Sequence, residues 1–166
     1  MNSNIHDDPQ FQQGHLYAIR LLTASKKSTS QLRKRLKDKG YRADVIQNVL
    51  DALNTQGILN DRKMVDESVQ WAKQAKRYGK RRIALELKKK GIAEAVINES
   101  LVDYSKDEER ETAKELAAVR WEKLSRLDPM KKKKRLYDFL ISRGFDFEVV
   151  RETVDELNKS EKHENF

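Results

Sequence analysis

Apolar residues recur along this chain at three- and four-residue steps. Leu32 and Leu36 are followed by Val45 and Ile46, Val49 and Leu50, then Leu53. That is the period of a helix with one buried stripe, not the alternation of a half-buried strand. Pro9 and Pro129 are the two prolines, so the long stretch between them lacks the strongest helix breaker. The pattern predicts an all-α fold.

Gly40, Gly91 and Gly144 stand 51 and 53 residues apart and mark an internal repeat. Before each glycine come two apolar residues (Leu32 and Leu36, Ile83 and Leu87, Leu136 and Leu140) and then a cation (Lys39, Lys90, Arg143). A large apolar residue follows it: Tyr41, Ile92 or Phe145. Beyond lie Val45, Ile46 and Leu50, then Val96, Ile97 and Leu101, then Val149, Val150 and Val154. A glycine just past a helix end takes the left-handed conformation that closes a Schellman motif, and the next residue then packs back on the helix. The predicted pairs are Tyr41 on Leu36, Ile92 on Leu87 and Phe145 on Leu140. The preceding cation sits at the negative end of the helix dipole.

Other punctuation fits. Ser28 to Gln31 and Ser105 to Glu108 read as capping boxes. Asp128-Pro129 reads as an N-cap with proline in the first turn, and Gly57 ends one repeat ahead of a cap at Asn60 or Asp61. Leading helices are predicted at about 14–25, 61–77 and 108–125, giving nine helices in three units of three. The expected organisation is a flexible N-terminal segment (1–13), three three-helix repeats (14–57, 58–104 and 105–158) and a polar tail (159–166). Units this small have marginal cores alone, so they should stack into an elongated or curved array. Such an array favours a binding protein over an enzyme.

The composition narrows function. The chain has 166 residues, with 35 Lys+Arg against 27 Asp+Glu and a net charge of +8, which points to an anionic partner. No stretch is apolar enough to span a bilayer, and the N-terminal stretch does not read as a signal peptide. The absence of cysteine removes disulfides and Cys-based zinc sites, and the expected compartment is the cytosol. His6, His15 and His163 are scattered, so neither a metal nor a cofactor is expected. Gly79-Lys80 lacks the upstream glycine and following hydroxyl of a phosphate loop. No catalytic constellation emerges, and no small-molecule substrate is expected.

Basic clusters carry the stronger signal. Lys26 to Arg42 holds eight Lys/Arg against one acid, Lys73 to Lys90 holds nine against one, and Lys131 to Arg135 is unbroken. Residues 146–166 instead carry seven acids and three bases. The candidate contact residues are Lys80, Arg81, Arg82, Lys88 and Lys89, with Lys34, Arg35, Lys132 and Lys133 at related places. Lys90 and Arg143 read as helix-end cations. Trp71, Tyr78 and Trp121 offer base-stacking faces, although core packing or inter-repeat contact is the more economical reading.

These residues add up to a resemblance. Gly57-Ile58-Leu59-Asn60-Asp61, Gly79-Lys80-Arg81-Arg82-Ile83 running through Leu87 to Lys90-Gly91-Ile92, and Arg143-Gly144-Phe145 resemble the signature positions of the RecX family of bacterial RecA regulators. Ser28, Leu32, Leu36, Lys39 and Gly40 stand in similar places in the first repeat. The likeness covers about residues 16–157. Gln31, Lys26, Lys27 and Met64-Val65 depart from the family pattern. The resemblance implies a monomeric, non-enzymatic protein that binds the groove of the RecA–DNA filament. It would modulate, mostly inhibit, RecA ATPase, strand exchange and filament growth, and so regulate DNA repair, recombination and the SOS response. Direct contact with single- or double-stranded DNA stays open, and the alternative is a stand-alone basic helical DNA-binding module.

Overall fold

The computed structural model describes residues 8–164, with side chains through Glu161. Among the described residues all regular structure is helical: α1 (Pro9–Ala24), α2 (Thr29–Asp38), α3 (Ala43–Thr55), α4 (Asp61–Gln74), α5 (Lys80–Lys89), α6 (Glu94–Ser100), α7 (Lys106–Lys123), α8 (Pro129–Ser142) and α9 (Phe147–Glu164). They form three successive sets of three.

The glycine caps close as their spacing predicts. Gly40, Gly91 and Gly144 have φ of 92°, 74° and 83°. The N–H groups of Tyr41, Ile92 and Phe145 donate to the carbonyls of Leu36, Leu87 and Leu140 at 3.2, 3.2 and 3.3 Å, the long bond of a Schellman motif. Ile92 and Phe145 are buried, while Tyr41 is half-buried. Gly57 ends α3 the same way, with the Ile58 N–H on the Leu53 carbonyl. Ser28 forms a complete capping box with Gln31, Ser105 caps α7, Asp128 caps α8, and Asn60 accepts from the Lys63 N–H.

Two ends differ from the pattern reading. α1 starts at Pro9, because Asp8 caps it and Pro9 occupies the first turn, the same device as Asp128-Pro129. Phe11 and Gly14 are buried, so residues 9–13 belong to the helix. Residues 1–7 of the anticipated N-terminal segment lie outside the described residues. At the other end α9 continues through Glu164, so residues 159–164 prolong a helix.

The described chain divides into two compact units. One takes the residues up to Glu67 together with Leu87–Val96; the other takes Ser68–Glu86 and the residues from Ile97 onward. In the first, Leu32, Leu36, Val45, Val49, Leu50 and Leu53 form a core with Phe11, Ala18 and Leu59. In the second, Ala113, Ala117, Trp121, Leu136, Leu140, Phe145, Val149, Val150 and Val154 do the same.

Each unit contains one joint between consecutive repeats, and the two joints share one design. In the first, the Ser28 hydroxyl donates to the carbonyl of Lys90, and a Cβ on Gly91 would run into the Ser30 side chain. The Thr29 N–H donates to Asp61 at 2.8 Å, and Lys26 pairs with Glu67. In the second, the Gly79 N–H donates to the carbonyl of Arg143 at 3.0 Å, and a Cβ on Gly144 would overlap the Arg82 backbone. There the Lys80 N–H donates to Glu109 at 2.9 Å, and Arg77 pairs with Glu115 at 3.5 Å. Each glycine cap thus seats on the start of the preceding repeat's glycine-ended helix. The next leading helix sends a carboxylate to that helix's exposed N–H groups, where the dipole favours negative charge. Burial pushes the Glu109 carboxyl up, against the lowering effect of the Lys80 N–H.

Gly79 is consequently a packing glycine. A Cβ there would strike the backbone of Gly144 and Phe145.

Candidate functional site

The first joint builds a basic concavity. Seating the Gly91 cap on Ser28 and Ser30 brings the end of α5 beside α2, so Lys89 joins Lys34 and Arg35. The loop from α1 to α2 adds Ser25, Lys26 and Lys27. Gln31 and Asp38 complete the lining of a solvent-open hollow of about 470 Å³. Its cations Lys26, Lys27, Lys34, Arg35 and Lys89 outnumber its one acid.

How far those charges are already used decides what the hollow can do. Lys26 is paired with Glu67 and holds that carboxyl below the usual carboxylate range. Lys27 donates to the Ser25 hydroxyl and carbonyl. Lys34 and Arg35 are exposed, and among the described residues neither side chain carries a hydrogen bond or an ion pair. Lys88, directly before Lys89 on α5, is exposed in the same state. A hollow with unneutralised Lys and Arg donors, lined by polar and charged residues, suits an extended anion, whether phosphodiester or carboxylate.

The remaining predicted contact residues serve inside the fold. Lys80 is half-buried at the second joint, its ammonium 6.0 Å from the Tyr104 ring. Arg81 pairs with Asp146 at 2.8 Å and lies 4.1 Å from the Phe147 ring centroid. Arg82 pairs with Glu86 one turn on and faces the Tyr78 ring at 5.4 Å. Lys132 is buried, bonded to Glu161 at 2.7 Å and 3.9 Å from the Trp121 ring centroid. Lys133 pairs with Asp155 at 2.7 Å. The structure therefore gathers Lys34, Arg35 and Lys89, leaves Lys88 exposed, and gives Lys80, Arg81, Arg82, Lys132 and Lys133 internal partners.

Sequence reasoning passed over Ser25, Lys26, Lys27 and Gln31 as site residues. Lys26 and Lys27 were visible as the start of the first basic cluster. Their meeting with Lys89 depends on the joint. Trp121 is core, as the packing interpretation expects, whereas Trp71 is 57% exposed. Among the described residues no group of three or more His, Asp or Glu is placed to hold a metal ion. No described helix is long and apolar enough to cross a membrane.

Comparison with known proteins gives one consistent result. Residues 16–53, 60–101 and 107–154 match, in order, the first, second and third three-helix domains of RecX. The chain is 35% identical over 151 residues to the regulatory protein RecX of Mycobacterium sp. (strain KMS), covering 86% of this chain and 80% of that one. It is 28% identical over 153 residues to the regulatory protein RecX of Clostridioides difficile (strain 630), covering 92% and 72%. The crystal structure of RecX from Lactobacillus salivarius superposes with a TM-score of 0.79 at 20% identity, over 90% of this chain and 97% of that one. That likeness speaks for the fold.

Proposed function

The chain belongs to the RecX family of regulatory proteins, and from that membership we propose that it binds the RecA–DNA filament and restrains its growth. The observation that carries the reading is the concavity in which Lys34 and Arg35 stand without partners among the described residues. A filament of protein on DNA offers phosphates and acidic side chains, and unpaired cations gain most from meeting them. Binding, not chemistry, is the action: the protein slows RecA ATPase and strand exchange by occupying the filament. It works in the cytoplasm as a monomer, in the control of recombinational repair and the SOS response.

The test is ATP hydrolysis by RecA on single-stranded DNA, titrated with this protein at constant salt. A fall at protein levels well below the RecA concentration supports a regulator that acts on filament growth. A flat titration, beside tight and salt-sensitive binding to DNA alone, replaces it with the stand-alone DNA-binding module.

A further inference from the structure

Four described helices end in glycine caps, at Gly40, Gly57, Gly91 and Gly144, and an apolar residue follows each. Ile92 and Phe145 are buried and Tyr41 is half-buried, but Ile58 is 49% exposed. The cause is local. Ile58 and Leu59 both donate their N–H groups to the Leu53 carbonyl, at 3.0 and 3.1 Å, and only Leu59 turns into the first core. The cap therefore uses the backbone of Ile58 but not its side chain. An apolar side chain held on a rigid cap with half its surface still in water suits an interface anchor. Burying the rest is favourable, and little freedom is left to lose.

Ile58 lines a hollow of about 200 Å³ that is separate from the basic concavity but shares Lys26 and Lys27 with it. Leu22 of α1 and Met64 of α4 supply its other apolar wall. The hollow is smaller than the about 300–1,000 Å³ of small-molecule clefts, and it suits a single side chain. Its one acid, Glu67, is already paired with Lys26. Lys63, exposed one turn before Glu67, adds positive charge at the rim. Cations outnumber acids across the two hollows together.

We propose that this hollow docks one large apolar side chain of a partner protein, presented by an acidic segment whose carboxylates meet Lys63 on one side and Lys34 and Arg35 on the other. A nucleic acid would satisfy the cations but has no aliphatic side chain to lay against Leu22, Ile58 and Met64. A wholly acidic segment would leave the Ile58 surface in water. The inference rests on the filament reading only for which protein the partner is.

The experiment is binding of the full chain, without RecA, to a labelled oligoglutamate peptide with one central Leu, and to the same peptide with Ser in its place. The Leu peptide should bind at least about fivefold tighter. Ile58→Ser should bring the two peptides to equal affinity, while Ile58→Leu should keep the preference. Lys34→Glu with Arg35→Glu should weaken both peptides. Ile58 serves the cap through its backbone, so these variants should melt as the wild type does, and thermal melting checks it. Equal affinity of the wild type for the two peptides, or a preference that survives Ile58→Ser, overturns the inference. So does an Ile58→Ser variant that binds oligothymidylate as poorly as it binds the Leu peptide, which would give the hollow to nucleic acid. The RecA ATPase titration of the wild-type chain reads the filament proposal separately: a flat titration beside an intact Leu preference removes RecA as the partner and leaves the docking point standing.

Discussion

α2 and α8 are the glycine-ended helices of the first and third repeats, both dense in cations but unlike in how many of those find an acid: on α8 three are paired between the exposed Lys131 and Arg135, and on α2 none is paired among the described residues. On α8, Lys132, Lys133 and Lys134 pair with Glu161, Asp155 and Asp138. On α2, Lys34 and Arg35 have no pair among the described residues, and Arg33 reaches the neutral Gln47. Lys134 finds Asp138 one turn on within α8, whereas the partners of Lys132 and Lys133 come from the helix that returns against it. α9 presents Glu152, Asp155, Glu156 and Glu161, whereas α3 has only Asp44 and Asp51, engaged with Arg42 and Gln47. The more exposed pairs of Lys133 and Lys134 contribute only about 0–1 kcal/mol each, but they cancel charge a partner would otherwise meet. Cation density along the chain is therefore a poor guide to a polyanion surface; the acids across the packing interface decide.

The severest way to break this contrast is to open the joints that build the two regions. Gly144→Ala places a Cβ into the Arg82 backbone as well as in a left-handed conformation, and should cost about 3 kcal/mol or more in chemical denaturation. Gly91→Ala meets the Ser30 hydroxyl, which can turn away, and the Ser30 Cβ, which cannot, so it should cost less than Gly144→Ala but more than Gly40→Ala. Gly40→Ala meets nothing and should lose only the backbone preference of about 1–2 kcal/mol. Equal losses at all three would mean that the caps are not seated as described.

Next in size is Lys132→Ala, which removes a buried ion pair and an ammonium–indole contact; about 2 kcal/mol should be lost. By contrast, Lys34→Glu with Arg35→Glu should leave thermal stability within about 0.5 kcal/mol. That same pair should weaken association with the RecA–DNA filament at least about tenfold. If Lys133→Glu weakens association as much, the contrast between the helices fails.

The smallest effect is in acid. Lys133 holds Asp155, and Lys106 holds Glu148, below the usual carboxylate range. A folded value below the unfolded one stabilises the fold above about pH 4, and that contribution is lost as pH falls through the depressed value. Glu109, pushed up by burial, works the other way: its charged form costs stability above its unfolded value, and acid relieves it. Lys133→Met should flatten the acid limb of a pH–melting curve slightly, while Glu109→Gln should steepen it.

Helices, caps and the threefold repeat were legible in the chain because they rest on neighbours a few residues apart. A glycine at the right step, a hydroxyl at a helix start and a three-four apolar stripe are local devices, and they held at Gly40, Gly91, Gly144, Ser28 and Ser105. Asp8-Pro9 carried the same signal as Asp128-Pro129, though the apolar stripe alone placed the start of α1 too late. The candidate site was legible only in part. Lys34, Arg35 and Lys89 lie in basic clusters, but nothing local distinguishes them from Lys132 or Arg81.

By itself, then, the sequence determined an all-helical chain of three three-helix repeats, because each signal for it closes within about a turn or two of helix. Only the tertiary structure decided which cations stay available. Lys132 meets an acid 29 residues away, Lys133 one 22 away and Arg81 one 65 away. A charge is neutralised by whatever packing brings within a few ångströms of it, and that distance is set by how helices and caps seat on one another, not by order along the chain.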